Sequence, residues 1–299
     1  MSAVAGDREL TSIVIVAADS GPLLRESVTA ALASTAAVEV VLVDNASSDG
    51  EAAALAADSR LRIVANARNI GFGPACNQGA ALARGDALLF LNPDCMIETE
   101  TVTQLRSIAA ANAAIGLLGI DIRSPDGLSA RGNRRRDPTL RRALMTFSGL
   151  ARFESRWPAL AGVEVPAWVS PAADVETVEA VSGACMFLPR RVFDGIGGFD
   201  EAYFLHVEDL DLCRRVRDAG YTVALAHELC ALHAQGSSSR HRPLFVAWHK
   251  HRGMWRYFLK FDPAANHLAA RALVRFGIWL HFTVSLPKYA FRLLRLRWK

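Results

Sequence analysis

The chain of 299 residues suffices for one large domain or a domain with an appendage, and its 51% apolar content supports a sizeable core and excludes a disordered chain. Its five cysteines (76, 95, 185, 213 and 230) form no C-x-x-C pair, which argues against a disulfide framework or thiolate metal centre and points to a reducing cytosol. The net charge of +4 conceals an asymmetry: from Arg240 onward 13 Lys/Arg face one acid, Asp262, giving +12, so the preceding part is −8, and such a basic tail suits an anionic membrane or nucleic acid.

The N-terminal apolar run Ile13 to Ala18 has no basic start and is too short for a secretion signal. It sits in SIVIVAA (12–18), a short β-branched stretch that reads as a strand buried on both faces. Gly21-Pro22 end it, and 23–34 has helical spacing. VEVVLVD (38–44) is a second buried strand closed by the turn cluster NASSDG, EAAALAAD (51–58) a helix, and LRIVAN (61–66) a third strand. A helix over 73–85 is expected to stop at Gly85 as its C-cap, followed by strand 86–92, another helix, and the strand IGLLGIDI. Strands and helices alternating at this pace predict a mostly parallel α/β sheet.

In such sheets ligands sit at the carboxyl ends of the strands. That rule selects Asp19, Asp44-Asn45 and Asn92 to Asp94, each also an ordinary turn residue when taken singly. Residues 124–172 read as a long excursion containing six arginines (131, 134, 135, 136, 141 and 142), either a solvated loop or an anion-binding flap. Beyond it, EDLDLCRR places Glu208, Asp209 and Asp211 at a helix start, where the macrodipole accounts for one or two acids and a general base for a hydroxyl accounts for another. His233 follows the last strand, TVALA, and is either a core histidine or a partner of Asp94 on a divalent ion. A seam is expected near QGSSSRHRP (235–243).

In order, the segments VVLVDNASSDG, NARNIGFGPACNQGAALARGDALLFLNPD and VSGACMFLPRRVFDGIGGFDEAYFLHVEDLDLCRRVRDAGY resemble a family 2 glycosyltransferase with a GT-A fold, in the bacterial rhamnosyltransferase-like branch, over roughly residues 11–260. The resemblance implies a GT-A catalytic domain over 1–240, with a nucleotide-binding half about 11–122 and an acceptor half about 173–240, and a basic amphipathic helical extension over 241–299. It implies inverting, metal-dependent transfer of a sugar from a nucleotide donor, dTDP-rhamnose first, to a glycan or polyprenyl-diphosphate-linked acceptor in cell-surface polysaccharide synthesis. A UDP-hexose enzyme and an inactive nucleotide-binding or membrane-scaffold protein of the same fold are the alternatives.

Residue by residue, the resemblance places Asp44 at the nucleobase, and Asp19, Asn45, Gly71, Asn77 and Asn92 around the nucleotide. Asp94 and His233 fall on a Mg2+ or Mn2+ ion, Asp209 is the catalytic base with Glu208 beside it, and Gly183 and Ala184 lie on the acceptor side. Two departures stand out: AAD replaces the family's TYN after the first strand, and Asn92 replaces the first acid of the DxD pair. The tail 268–299 alternates arginine with Leu, Phe and Trp. It suits helices in a membrane interface at the inner face of the cytoplasmic membrane, or an amphipathic pair packed on the domain or on a second copy in a homo-oligomer; no nucleic-acid motif accompanies it.

Overall fold

The computed structural model describes residues 9–130, 132–166, 173–234 and 242–297. Arg131, the Pro/Trp-rich stretch 167–172 and most of the expected seam at 235–243 lie outside them.

Three continuous apolar runs form the centre of the sheet. β1 (Thr11–Ala17) is buried along its whole length, β2 (Val38–Asp44) along all but its last residue, and β4 (Ala87–Leu91) throughout. With β3 (Leu61–Ala65) they pair in parallel in the order β3-β2-β1-β4. The other half is mixed. β8 (Cys185–Pro189) runs antiparallel to β4 and to β6 (Ile115–Arg123), while β6 is parallel to β9 (Thr222–His233). Two three-residue strands, β5 (Cys95–Ile97) and β7 (Val175–Thr177), add to β9 antiparallel.

Helices cover both faces. α1 (Leu23–Leu32) and α3 (Thr101–Ala111) close one core, built on Ile13, Ile15, Leu42 and Leu89. The other face is closed by α2 (Phe72–Leu82), α5 (Arg190–Gly195) and α6 (Glu208–Asp218), packed around Phe90, Phe193, Phe199 and Tyr203. α4 (Leu140–Phe147) lies on the excursion after β6. The tail forms α7 (Pro243–Phe261) and α8 (Leu268–Arg297). α7 inserts Tyr257 into the second core and joins α8 through a hydrogen bond between His251 Nε2 and His281 Nδ1 (2.9 Å).

Two local expectations are corrected. Residues 51–58 form turns rather than a helix. Only Ala52 of the segment is buried, so no packed face offsets the cost of helix nucleation, and a single turn closes, with Ala54 N donating to Gly50 O and Glu51 O. Gly85 is not a helix cap, since α2 ends at Leu82 with Ala83 extended. Its lack of a side chain serves a close approach instead: a Cβ there would stand 2.3 Å from Leu10 O and 2.8 Å from Ser12 N.

Candidate active site

The ends of β1, β2 and β4 open into a cleft of ≈ 350 Å³ whose far wall is the start of α6. Asp19 sits there with φ 52, and its carboxylate accepts from Ser48 N (2.7 Å) and Ser48 Oγ (2.9 Å). Those bonds hold its pKa below the usual value. Asp44 accepts from Ser47 N (2.9 Å), shaping the turn after β2. Asn45, buried, ties down the 66–71 loop: it donates to Asn69 Oδ1 (3.0 Å) and Gly71 O (3.1 Å) and accepts from Ile70 N (3.0 Å). Gly71, at φ 98, leaves no room for a side chain, because a Cβ would stand 2.8 Å from Phe204 O, the carbonyl that receives Phe72 N.

Of the sequence-selected nucleotide residues, Asp19, Asn45 and Asn92 line the cleft, whereas Asp44, Gly71 and Asn77 do not. Asn77 clamps the GGFDE turn, accepting from Phe199 N (2.8 Å) and donating to Phe199 O (2.9 Å).

Asp94 and His233, 139 residues apart, meet because β5 and β9 pair with Cys95 opposite His233. His233 Nε2 lies 2.9 Å from Asp94 Oδ1, and both side chains are largely buried. Among the described residues, Asp94, Cys95 and His233 form the one cluster with metal-ligand potential, their ligand atoms all within 4.8 Å. Burial, Cys185 and Asp94 push the Cys95 thiol well above its usual pKa, and it belongs to the apolar core.

The opposite wall is strained. His206 (φ 66) and Val207 (φ 76) are successive non-glycine residues in the left-handed region, a conformation that costs about 1–3 kcal/mol per residue and concentrates at functional sites. The turn they make aims Glu208 and Asp209 into the cleft from the first turn of α6. Asp209 Oδ2 accepts from Arg135 Nη2 (2.5 Å) and from Gly183 N (3.2 Å), while Oδ1 accepts from Leu210 N (2.8 Å). Burial raises the Asp209 pKa, but the Arg135 charge and hydrogen bond outweigh it and hold the group ionised below the usual range.

Glu208 behaves oppositely. Burial and the Asp209 charge push it up to about 8, so it is protonated at neutral pH. Its Oε2 is buried and without a partner among the described residues. His206 borders the cleft and keeps much of its surface accessible there, yet the protein around it and Lys250 lower its pKa.

Arg135, His206, Phe72, Phe204 and Phe245 are site residues that sequence reasoning missed. Arg135 lay within the arginine-rich excursion, and the flap reading of that segment is corrected. Arg134 pairs with Glu176 (3.1 Å), Arg136 with Glu154 (3.1 Å) and Arg142 with Glu179 (2.6 Å), while Arg141 donates to Ala159 O (2.6 Å). These guanidinium groups are engaged by the protein itself. Arg135 is drawn into the site because its backbone pairs with Ala180, N to O at 2.9 Å and O to N at 3.0 Å.

The mixed α/β architecture is the GT-A fold. Residues 12–161, half of the chain, match the model of Glycosyl transferase family 2, and residues 151–252 match that of Glycosyl transferase family 21. The chain belongs to glycosyl transferase family 2, in its rhamnosyltransferase-like branch.

Among relatives, it is 29% identical to an N-acetylglucosaminyl-diphospho-decaprenol L-rhamnosyltransferase of Mycobacterium tuberculosis, over 89% of this chain and 95% of that protein. It is 25% identical to the low-salt glycan biosynthesis hexosyltransferase Agl10 of Haloferax volcanii, over 66% of this chain and 59% of the relative. In fold it is similar to S. aureus TarS in complex with UDP-GlcNAc (TM-score 0.55, 14% identity, 90% of this chain and 71% of that one). It also resembles a Pyrobaculum calidifontis mannosyltransferase in complex with GDP-Man and Mn2+ (TM-score 0.56, 17% identity, 96% and 75%).

Proposed function

We propose that this glycosyltransferase moves rhamnose from dTDP-rhamnose to a polyprenyl-diphosphate-linked glycan, with inversion and with a divalent cation. The observation that carries the reading is the placing of two acidic groups across one cleft: Asp209 at the start of α6, with Oδ2 held by Arg135 and Gly183, facing Asp94 and its partner His233 past the strand ends. The rhamnosyltransferase relative, matched along nearly its whole length, supports the transferred sugar and the acceptor class. A UDP-hexose is the second donor reading, supported by the fold likeness to a protein in complex with UDP-GlcNAc.

On this reading Asp19 meets the nucleoside, and Asp44, Asn45, Gly71 and Asn77 act through the turns and loops they hold. Asn92 and Asp94 face the diphosphate, and Gly183 and Ala184 face the acceptor. Asp94 and His233 fit a cation by the chemistry of the donors: a carboxylate oxygen and an imidazole nitrogen stand together at the cleft wall and would hold it. Cys95 belongs to the apolar core and does not line the cleft. When bound, the cation would offset the charge gathering on the departing diphosphate.

The acceptor oxygen forms its bond to the anomeric carbon as the bond to the diphosphate breaks, and its proton passes to Asp209. Oδ2 is held by Arg135 and Gly183, which leaves Oδ1, with one backbone bond, as the receiving atom. Glu208, being neutral, is a poor nucleophile, which favours a single displacement. A polyprenyl-linked acceptor is confined to a bilayer, and the thiols Cys76, Cys95, Cys185, Cys213 and Cys230 suit a reducing compartment, so we place the reaction at the cytoplasmic face of the membrane. Asp209→Asn is expected to lower transfer by about 10²–10⁴ while dTDP binding in Mn2+, followed by calorimetry, persists; retained turnover would overturn the base assignment.

A further inference from the structure

α8 has two apolar faces, and among the described residues only one is covered. Trp279 and Phe282 pack on Trp248 of α7, with ring centroids 4.7 and 5.8 Å away, and Phe282 also meets His251 (5.2 Å). On the other side Leu273, Phe276, Leu280 and Val284 are 48 to 71% exposed. At 3.6 residues per turn these four fall within a stripe about 80° wide, opposite the packed face. The helix contains no acid and carries Arg271, Arg275 and Lys288 before three more arginines in its last turns.

The excursion adjoins this helix. Phe147 at the end of α4 packs on His281 (4.8 Å), and Leu144, Phe147, Phe153 and Trp157 are exposed there. The Arg152 guanidinium lies 4.6 Å from the centre of the Phe153 ring, and that of Arg156 5.5 Å from Trp157. Among the described residues no helix is long and apolar enough to cross a membrane.

We propose that the outer stripe of α8, with the aromatic turn of the excursion beside it, seats the protein in the interface of an anionic lipid bilayer. Bare Leu, Phe and Val side chains in the acyl boundary, with arginines toward the headgroups, match an interfacial helix that lies about 5–10 Å deep. A second copy is disfavoured as the occupant because it would bury the stripe yet bring no acid from its own helix to the basic side chains, whereas an anionic bilayer matches both. Nucleic acid would satisfy the charge and leave the apolar stripe in water. This deepens the reading above, because a polyprenyl-linked acceptor would be met at the same surface, but the contact does not depend on the chain being a transferase.

The test is sedimentation of the full chain with phosphatidylcholine vesicles, pure or with about one-third phosphatidylglycerol. Tight binding to the anionic vesicles only is expected, weakening with salt. Phe276→Glu/Leu280→Glu should lower that affinity by more than about tenfold, and Phe276→Ser/Leu280→Ser should lower it less. Circular dichroism and dTDP binding should stay unchanged, since both side chains are exposed and remote from the cleft. Undiminished vesicle binding by the Glu variant would overturn the proposal. So would a concentration-dependent dimer in analytical ultracentrifugation that the same substitutions abolish, since that would identify a second copy as the occupant. Transfer to a soluble acceptor is read separately: lost lipid binding with turnover intact is expected of the Glu variant, whereas lost turnover in the wild-type chain would count against the enzymatic reading alone.

Discussion

Replacing Arg135 by methionine removes the charge that keeps Asp209 ionised while keeping much of the side-chain length. The pair is close (2.5 Å) and poorly solvated, the two side chains being 16% and 14% exposed. The other ionisable groups acting on Asp209 are Glu208 beside it, His206 in the preceding turn and Cys213 one turn along α6. An opposite charge at this range lowers a carboxyl pKa by about 1–3 units. Its removal should carry Asp209 from below the usual carboxylate range to above it, since burial then acts unopposed.

The acid limb of the kcat/KM profile should therefore move up by about 1–3 pH units, with activity lost most at pH 6 and partly regained toward pH 8. Arg135→Lys should restore part of the shift. Breaking a buried pair also costs about 3–5 kcal/mol of stability, so dTDP binding must be measured alongside to show that the variant is folded. The sign for stability follows from the depressed folded pKa: the contribution of Asp209 is complete above its unfolded pKa and fades as pH falls. An acid limb that stays in place in a folded, nucleotide-binding Arg135→Met protein would refute the account of how the base is kept ionised.

Glu208→Gln should retain transfer at pH 7 within about threefold, because glutamine mimics the neutral acid, and an alkaline fall-off near pH 8 should vanish from its rate profile; abolished activity at pH 7 would show that the carboxyl itself is needed. Asp94→Asn with His233→Ala should weaken Mn2+-dependent dTDP binding by at least about tenfold in calorimetry, and leave binding in chelator unchanged. Asp200 is pushed up by burial but held down to about 2 by Lys260 and Arg256. Its stabilisation is complete above the usual 3.8 and lost as pH falls toward 2, so Asp200→Asn should cost on the order of 1 kcal/mol at pH 7 and nothing near pH 2, read by urea unfolding.

The central strands were legible because β1, β2 and β4 are unbroken apolar runs, a pattern that burial on both faces imposes. The acids past their ends were legible for the same reason: chain direction fixes which rim they occupy. β5 and β7 were not, since three residues carry no periodicity and exist only because β9 extends far enough to pair with them. EAAALAAD reads as a helix but forms turns, because only Ala52 is buried and nothing packs a helical face there. Nothing local separates Arg135 from Arg134 or Arg136. Only the pairing with Ala180 aims it at Asp209 while its neighbours meet Glu176 and Glu154. The left-handed pair His206–Val207 was likewise hidden, because neither residue type advertises that conformation.

Lys260 of α7 donates to both Asp200 (2.8 Å) and Asp211 (2.6 Å), and Tyr257 donates to Asp137 (3.0 Å). Asp211 is fully buried within α6, two residues from the proposed base, and shares its charge between Lys260 and Arg215. A fragment ending near residue 240 would strip one of those cations from beneath α6 and leave a carboxylate in the interior half neutralised, a loss felt within one helical turn of Asp209. A cut after Asn266 severs only α8. The divisible joint of this polypeptide therefore lies inside its basic tail, and α7 travels with the active site as a brace.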